Sequence, residues 1–326
     1  MDMNRQVLDL DPAAETDRIV RWLREKARGL RRNGAVLGIS GGIDSSVCLA
    51  LCVRAFGPEK VVALILPEKD SDPASEGLAR MLAAHYGVEP LLESITPALD
   101  GFECYPLRDE AIARVFPEYD PAAGYKAKIV LPPSLLDEAT LSIYSLTIVA
   151  PDGAEKSRRL PARELAQIVA ASNLKRRARM AKLYYHAELN GLLVIGTPNK
   201  NEHEQGFFVK FGDGGADLRP IVHLYKTQVY QLARHLEVPG LIQERVPTTD
   251  TYSAPSTQEE FYFRLPFGLM DLLWYAQEHQ VSAQATAQSL ELTPAQVRRV
   301  FDDFTRRKRS TAYLRTPPLD LAGEPV

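Results

Sequence analysis

A doubly wound α/β fold, with a mostly parallel sheet and helices on both faces, follows from three features of the sequence. Val61 to Leu66 is a continuous apolar run, suited to a parallel strand covered on both sides. Short apolar runs alternate with helical stretches, the rhythm that right-handed crossovers produce. Finally, Ala35-Val36-Leu37 leads through Gly38-Ile39-Ser40-Gly41-Gly42-Ile43-Asp44-Ser45-Ser46 into an apolar helical segment, Val47 to Phe56. That is a strand, a tight glycine turn and a helix start. In such a sheet, ligands bind outside the carboxyl ends of the strands.

Residues 15 to 31 predict an amphipathic helix with Ile19, Trp22, Leu23 and Ala27 on one face. After Val61 to Leu66, a helix near Ala74 to His85 and a strand near Pro90 to Ile95 follow. Residues 100 to 162 break the rhythm. They hold Cys104-Tyr105-Pro106, Phe116-Pro117-Glu118-Tyr119 and Pro132-Pro133, then an alternating run from Ser142 to Ala150 and the turn Pro151-Asp152-Gly153. An inserted hairpin or flap is expected there. A long helix over Arg163 to Leu189 leads to the strand Leu192 to Gly196, which places Thr197, like the Ser40 turn, at a carboxyl end. The organisation predicted is one α/β unit over residues 1–270, carrying the insertion at about 100–162, and a helical extension with a basic tail over 271–326. Within that extension, residues 281 to 305 resemble a small helix-turn-helix pair.

The 326 residues, 45% hydrophobic and 25% charged, are enough for one large α/β domain with additions. A net charge of −3 exerts no global pull toward nucleic acid, so the basic run Arg306 to Arg309 does not by itself make a DNA-binding protein. Cys48, Cys52 and Cys104 follow no metal-ligand spacing and read as reduced core residues. Met1 to Arg21 has no apolar core segment and no 18-residue apolar run occurs, so neither a signal peptide nor a membrane span is expected. A cytoplasmic enzyme is the expectation.

The turn after the first strand carries the chemistry. Ser40, Gly41 and Gly42 let backbone N–H groups approach an anion, and the following helix adds the positive end of its dipole. Asp44 would repel a phosphate. In the same turn it reads as a carboxylate holding a divalent cation that bridges to phosphates. The pattern is neither the Walker loop nor the dinucleotide Gly-x-Gly-x-x-Gly. Ser-Gly-Gly-x-Asp-Ser resembles the pyrophosphatase loop of the N-type ATP pyrophosphatases, whose Rossmann-like fold the resemblance implies. Those enzymes cleave ATP between the α and β phosphates and adenylate an oxygen, after which a nucleophile displaces AMP.

A second block extends the resemblance. Gly196-Thr197-Pro198-Asn199-Lys200-Asn201-Glu202 is followed by Val209-Lys210-Phe211-Gly212-Asp213, then Leu224-Tyr225-Lys226 and Pro247 to Asp250, and Asn173 to Met180 precedes them. In that order and spacing the chain resembles the ammonia-dependent NAD synthetases over nearly all its length. The resemblance implies ATP and Mg2+, with Asp44 and Glu202 as magnesium ligands. It implies nucleotide contacts from Gly38, Ile39, Ser40, Gly41, Gly42, Ile43, Asp44, Ser45, Ser46, Thr197, Lys226 and Thr248. Lys226 would neutralise charge on departing pyrophosphate, making Asp44, Glu202 and Lys226 the catalytic set. Arg177, Lys210 and Asp217, and Arg307 and Lys308 in the tail, fall where the family binds its dinucleotide.

Three departures stand on the acceptor side: the long segment 100–162, the aromatic patch Glu259 to Pro266 in place of Asp-Glu followed by Gly and Tyr, and Arg307-Lys308-Arg309 in place of His-Lys-Arg. The leading expectation is a ligase that adenylates the carboxylate of deamido-NAD and amidates it with ammonia, giving NAD, AMP and pyrophosphate. The alternatives are the same adenylation on another carboxylate or a tRNA acceptor, or a nucleotide-binding regulatory protein without turnover. With no recognisable glutaminase nucleophile, ammonia is expected from solution or from a separate glutaminase. A homodimer is implied, with Phe261, Tyr262, Phe263, Leu265 and Phe267 either covering its interface or packing inside.

Overall fold

The computed structural model describes residues 5–131, 134–136, 144–248 and 251–321. Helix α1 (Pro12–Gly29) begins where the Asp11 side chain accepts from the amides of Ala13 and Ala14, and buries Ile19, Val20, Leu23 and Ala27. Strand β1 (Ala35–Gly38) leads into α2 (Ile43–Phe56), which is apolar nearly all round because it is buried, packing on α1. Then come β2 (Val61–Ile65), α3 (Pro73–His85, capped by Asp72), the short strand β3 (Leu91–Leu92) and the helices α4 (Thr96–Gly101) and α5 (Cys104–Val115). Three strands follow, β4 (Lys126–Val130), β5 (Ser145–Val149) and β6 (Glu155–Arg159), before the long α6 (Ala162–Asn190) and β7 (Leu193–Val194). The chain ends in helices α7 (Lys200–Gln205), α8 (Lys226–His235), α9 (Gly240–Gln243), α10 (Phe267–Glu278), α11 (Ala283–Leu290), α12 (Pro294–Ser310) and α13 (Ala312–Arg315).

The main sheet is parallel, in the order β3-β2-β1-β7. Ala35 of β1 lies opposite Val61 on one side and Leu193 on the other. The chain therefore builds outward from β1 to β3, then returns through α6 to add β7 on the opposite flank. Its direction reverses at β1, so the loops after β1 and β7 part there and leave a crevice between them, the usual ligand position in such sheets. The expected strands and helices of this sheet are all present.

The segment that broke the rhythm holds α5 followed by a three-stranded antiparallel sheet, β4-β5-β6, which lies against α5 and α6. The expected hairpin is the β5–β6 pair, closed through Pro151 to Gly153 with Asp152 accepting from the amide of Ala154; Ser142 and Ile143 lie outside the described residues. Ala127, Ile129, Leu146 and Ile148 alternate onto one face and pack against Ile112, Phe116, Ile168 and Tyr252.

Helices α10 and α12 share a core with Leu8, Tyr225, Phe263, Leu265 and Phe267. Of the aromatic patch, Phe263, Leu265 and Phe267 thus pack inside. Cys48, Cys52 and Cys104 are buried, free thiols, and burial pushes Cys52 up to about 12. Among the described residues no helix is long and apolar enough to cross a membrane.

Candidate active site

The turn between β1 and α2 is closed from within. Ser45 and Ser46 Oγ donate to the Gly42 carbonyl at 3.0 and 2.8 Å, and the N-cap of α2, Gly42, offers no side chain to the first amides of the helix. Gly41 has φ +70°, and a Cβ there would lie 2.6 Å from Cβ of Leu78 on α3, so glycine is required. The turn opens on a cavity of about 390 Å³. Gly38, Ile39, Ser40, Gly42, Ile43, Asp44 and Ser45 line it, while Gly41 and Ser46, expected among the nucleotide contacts, do not. Thr197, Glu202, Lys226 and Thr248 line the same cavity, brought from the ends of β7, α7, α8 and the loop after α9. Asp250 of the Pro247 to Asp250 motif lies outside the described residues.

Asp44 is the meeting point of this cavity. One carboxylate oxygen accepts from Asn199 Nδ2 at 2.9 Å and the other from Lys226 Nζ, a side chain with no solvent exposure. Burial opposes the charge on Lys226, but the carboxylates of Asp44 and Glu202 outweigh it and raise its pKa, so it stays an ammonium. Glu202 closes a capping box: its Oε2 accepts from the Asn199 amide at 3.1 Å, and Asn199 Oδ1 accepts from the Glu202 amide at 3.0 Å. Burial first, and then the nearby charge of Asp44, push the Glu202 carboxyl well above the usual carboxylate range. Two hard carboxylates held close enough to repel are a donor set that a divalent cation relieves. Among the described residues no cluster of three or more Asp, Glu, His or Cys could hold a metal. Magnesium does not need one, since it binds through one or two carboxylates with phosphate and water oxygens completing its shell.

A second cavity, of about 530 Å³, adjoins the first. Its walls include Ile129 and Tyr144 of the inserted sheet, Arg176 and Arg177 of α6, Lys210, Tyr252, Phe261 and Tyr262, and Tyr313 and Leu314 near the end of the chain. Arg177 and Lys210 thus share this cavity. Lys210 Nζ donates to the carbonyls of Tyr313 at 3.0 Å and Thr316 at 2.8 Å, drawing the tail across it. Asp217, Arg307 and Lys308 line neither cavity. Asp217 accepts from the Val194 amide and from Tyr184 Oη, Arg307 is held on Asp303 at 2.6 Å and donates to the carbonyl of Tyr262, and Lys308 pairs with Glu204.

Some site residues escaped the sequence reading. Asn199 orients both Asp44 and Glu202, and its Asn-x-x-Glu spacing is a legible capping box. Arg245 reaches Asp72 at 2.8 Å and Ser75 at 3.0 Å on the rim of the first cavity, a placement with no local signal.

Residues 15–114 and 137–318 match the family model described as NAD synthase. The chain belongs to that family. The family match passes over 115–136, the stretch that holds β4. Among its relatives, the NH(3)-dependent NAD(+) synthetase of Rhizobium meliloti strain 1021 is 48% identical over 322 residues, 97% of this chain and 96% of the relative. That of Mesorhizobium japonicum is 48% identical over 314 residues, 96% of this chain and 98% of the relative. In fold, the chain is similar to the NH3-dependent NAD synthetase from Campylobacter jejuni solved with a nitrate ion. The TM-score is 0.61 at 23% identity, covering 96% of this chain and 100% of that one.

Proposed function

We propose that this enzyme is an ammonia-dependent ligase that converts the carboxylate of deamido-NAD to the amide of NAD, with ATP cleaved to AMP and pyrophosphate. The observation that carries the reading is the pairing of two adjoining cavities. One gathers the phosphate turn with Asp44, Glu202, Thr197, Thr248 and Lys226, and the other presents Arg177 and Lys210. ATP occupies the first. Asp44 and Glu202 would hold magnesium there, and the ion would polarise the phosphates and offset their charge. The ammonium of Lys226, buried against Asp44, faces the departing pyrophosphate. The acceptor carboxylate attacks the α phosphorus and pyrophosphate leaves with the electron pair of the broken P–O bond. Ammonia then attacks the acyl carbon, AMP leaves with the C–O electron pair, and the added nitrogen loses a proton to solvent.

Arg177 and Lys210 serve the dinucleotide phosphates through charge-assisted contacts. Arg307 and Lys308 act on the acceptor side through what they hold, Tyr262 in the cavity wall and Glu204 at the end of α7. Asp217 lies outside both cavities, where it accepts from the Val194 amide and Tyr184, so it supports the end of β7 and is given no contact with the dinucleotide. The test is mass-spectrometric identification of the product from ATP, magnesium, ammonia and deamido-NAD. NAD with AMP is expected, and none when glutamine replaces ammonia, because the amide nitrogen then needs a separate glutaminase. Either ADP as the nucleotide product or no NAD overturns the reading.

A homodimer belongs to the same proposal, and the cytoplasm is where such an enzyme would meet its ATP. Of the apolar residues left exposed, Val169, Phe211 and Tyr313 line the second cavity beside Phe261 and Tyr262, and a separate group lies elsewhere. Leu91 and Leu92 on edge strand β3, Phe102 after α4, and Tyr185 and Leu189 on the last turns of α6 face solvent. Glu93 ties β3 to α6 through Lys182 at 2.8 Å and His186 at 2.6 Å, so most of this apolar surface forms one face. A single-chain mass by light scattering, at full activity, would contradict the dimer.

A further inference from the structure

Arg176 is the one residue among those described that lines both cavities. Its neighbours on α6 are spoken for elsewhere. Lys175 turns inward, its ammonium buried on Glu68 at 2.9 Å and Asp70 at 2.8 Å, and Arg177 leans toward the Lys210 carbonyl. Arg176 is held from one side only: Asp213 Oδ2 lies 3.1 Å from its Nε, while Asp213 Oδ1 accepts from the Val209 amide at 2.6 Å. The turn from Val209 to Asp213 thus fixes a carboxylate that fixes the arginine. Asp213 is its one ionic partner among the described residues, and the guanidinium carbon lies 5.9 Å from the Phe207 ring centre.

The reaction brings together two anions that start in different cavities. On the functional reading above, an acceptor carboxylate from the second cavity must reach the α phosphate of ATP in the first. Arg176 stands on the wall the cavities share, where the two would meet. From this we infer that Arg176 is a catalytic residue, its guanidinium bridging the acceptor carboxylate and the α phosphate as the new C–O–P linkage forms and pyrophosphate departs. A planar, permanently charged fork suits this role better than a lysine, because it can face two oxyanions at once. Its charge offsets their repulsion and the negative charge that gathers on the transferring phosphoryl group. Asp213 keeps the fork turned toward the junction without becoming part of the reaction.

The experiment compares Arg176→Ala, Arg176→Lys and wild type in NAD formation, with ATP and deamido-NAD varied separately. ATP binding is measured calorimetrically without acceptor, and guanidinium chloride at millimolar concentration is added to the alanine variant. Expected for Arg176→Ala is a fall in kcat of about 10²- to 10³-fold, the usual loss when one preorganised donor to a developing oxyanion is removed. ATP affinity should stay unchanged, and added guanidinium should restore part of the rate, while Arg176→Lys retains an intermediate rate. A kcat near wild type, a defect confined to the Michaelis constant for the dinucleotide, or a loss that guanidinium does not touch overturns the assignment. Should Arg176→Ala fail to fold, Arg176→Gln, a shorter polar side chain that keeps an amide donor without the charge, is read by the same kcat criterion. Wild-type enzyme that makes no NAD would instead overturn the functional reading, so the two failures are separable.

Discussion

The two cavities are built by different means. The nucleotide cavity is built around strand ends: the turn after β1 and the loop after β7 flank one crevice because β1 pairs directly with β7, Ala35 opposite Leu193 and Val36 opposite Val194. Its key contacts are short and local, such as the Gly42 carbonyl with Ser45 and Ser46, or the capping box of Asn199 and Glu202. The acceptor cavity has no such frame. It is enclosed by segments from β4 to α13, held together by aromatic contacts such as Phe207 with Tyr262 and Tyr252 with Phe261, 4.8 and 5.4 Å between ring centres. A motif specifies the first cavity, whereas packing specifies the second.

The largest test of that contrast is on the nucleotide side. Asp44→Asn and Glu202→Gln each remove a charge while keeping shape, and each should lower AMP formation by about 10³-fold or more, since both act on the charge that develops during transfer. Circular dichroism should show both variants folded, although Asp44→Asn leaves the buried ammonium of Lys226 with a weaker partner. AMP release at the wild-type rate in both would remove the site assignment.

On the acceptor side the effect should be smaller and selective. Lys210→Ala should raise the Michaelis constant for deamido-NAD by roughly 10- to 150-fold, the worth of one charge-assisted contact at about 1.5 to 3 kcal/mol, and change that for ATP less. Equal changes for both substrates would mean that the loss comes from releasing the tail at Tyr313 and Thr316.

The smallest effect concerns the joint between the regions. Asp70 and Glu68, beyond β2, meet Lys175 of α6 and Arg108 of α5 in a buried ion network. Burial raises the pKa of Asp70, but the charges of Lys175 and Arg108 outweigh it and hold it below the ordinary 3.8. Its folded value is depressed, so its stabilisation is complete above the unfolded value and is lost as pH falls through the folded one. Denaturant midpoints followed into acid should decline less steeply for Asp70→Asn than for wild type. Parallel declines would show that the network does not contribute to acid sensitivity.

Legibility followed the same division. Asp44 is legible in its own glycine turn, whereas Glu202, Lys226, Thr197 and Thr248 are named by the family resemblance, and the fold places all five on one cavity. Arg177 and Lys210, implied by the resemblance, share the second cavity, but Arg176, adjacent to Arg177 and equally basic, carries no mark in the sequence that it alone spans the wall. On a helix, neighbours in sequence point about 100° apart, so a basic run says nothing of which member meets which cavity until the surroundings are fixed.

The parallel α/β core and the phosphate turn with Asp44 are written in the residues themselves, because periodicity and glycine at a forced turn act over a few residues, while Glu202 and Lys226 follow from the family resemblance. Tertiary structure alone decided the enclosure of the second cavity, the inward packing of Phe263, Leu265 and Phe267, the exposure of Leu91, Leu92, Tyr185 and Leu189, and the position of Arg176 between two sites. These depend on contacts between residues tens to hundreds of positions apart. Burial and side-chain direction at such places are settled by which surfaces meet, a property of the assembled chain that no local window contains.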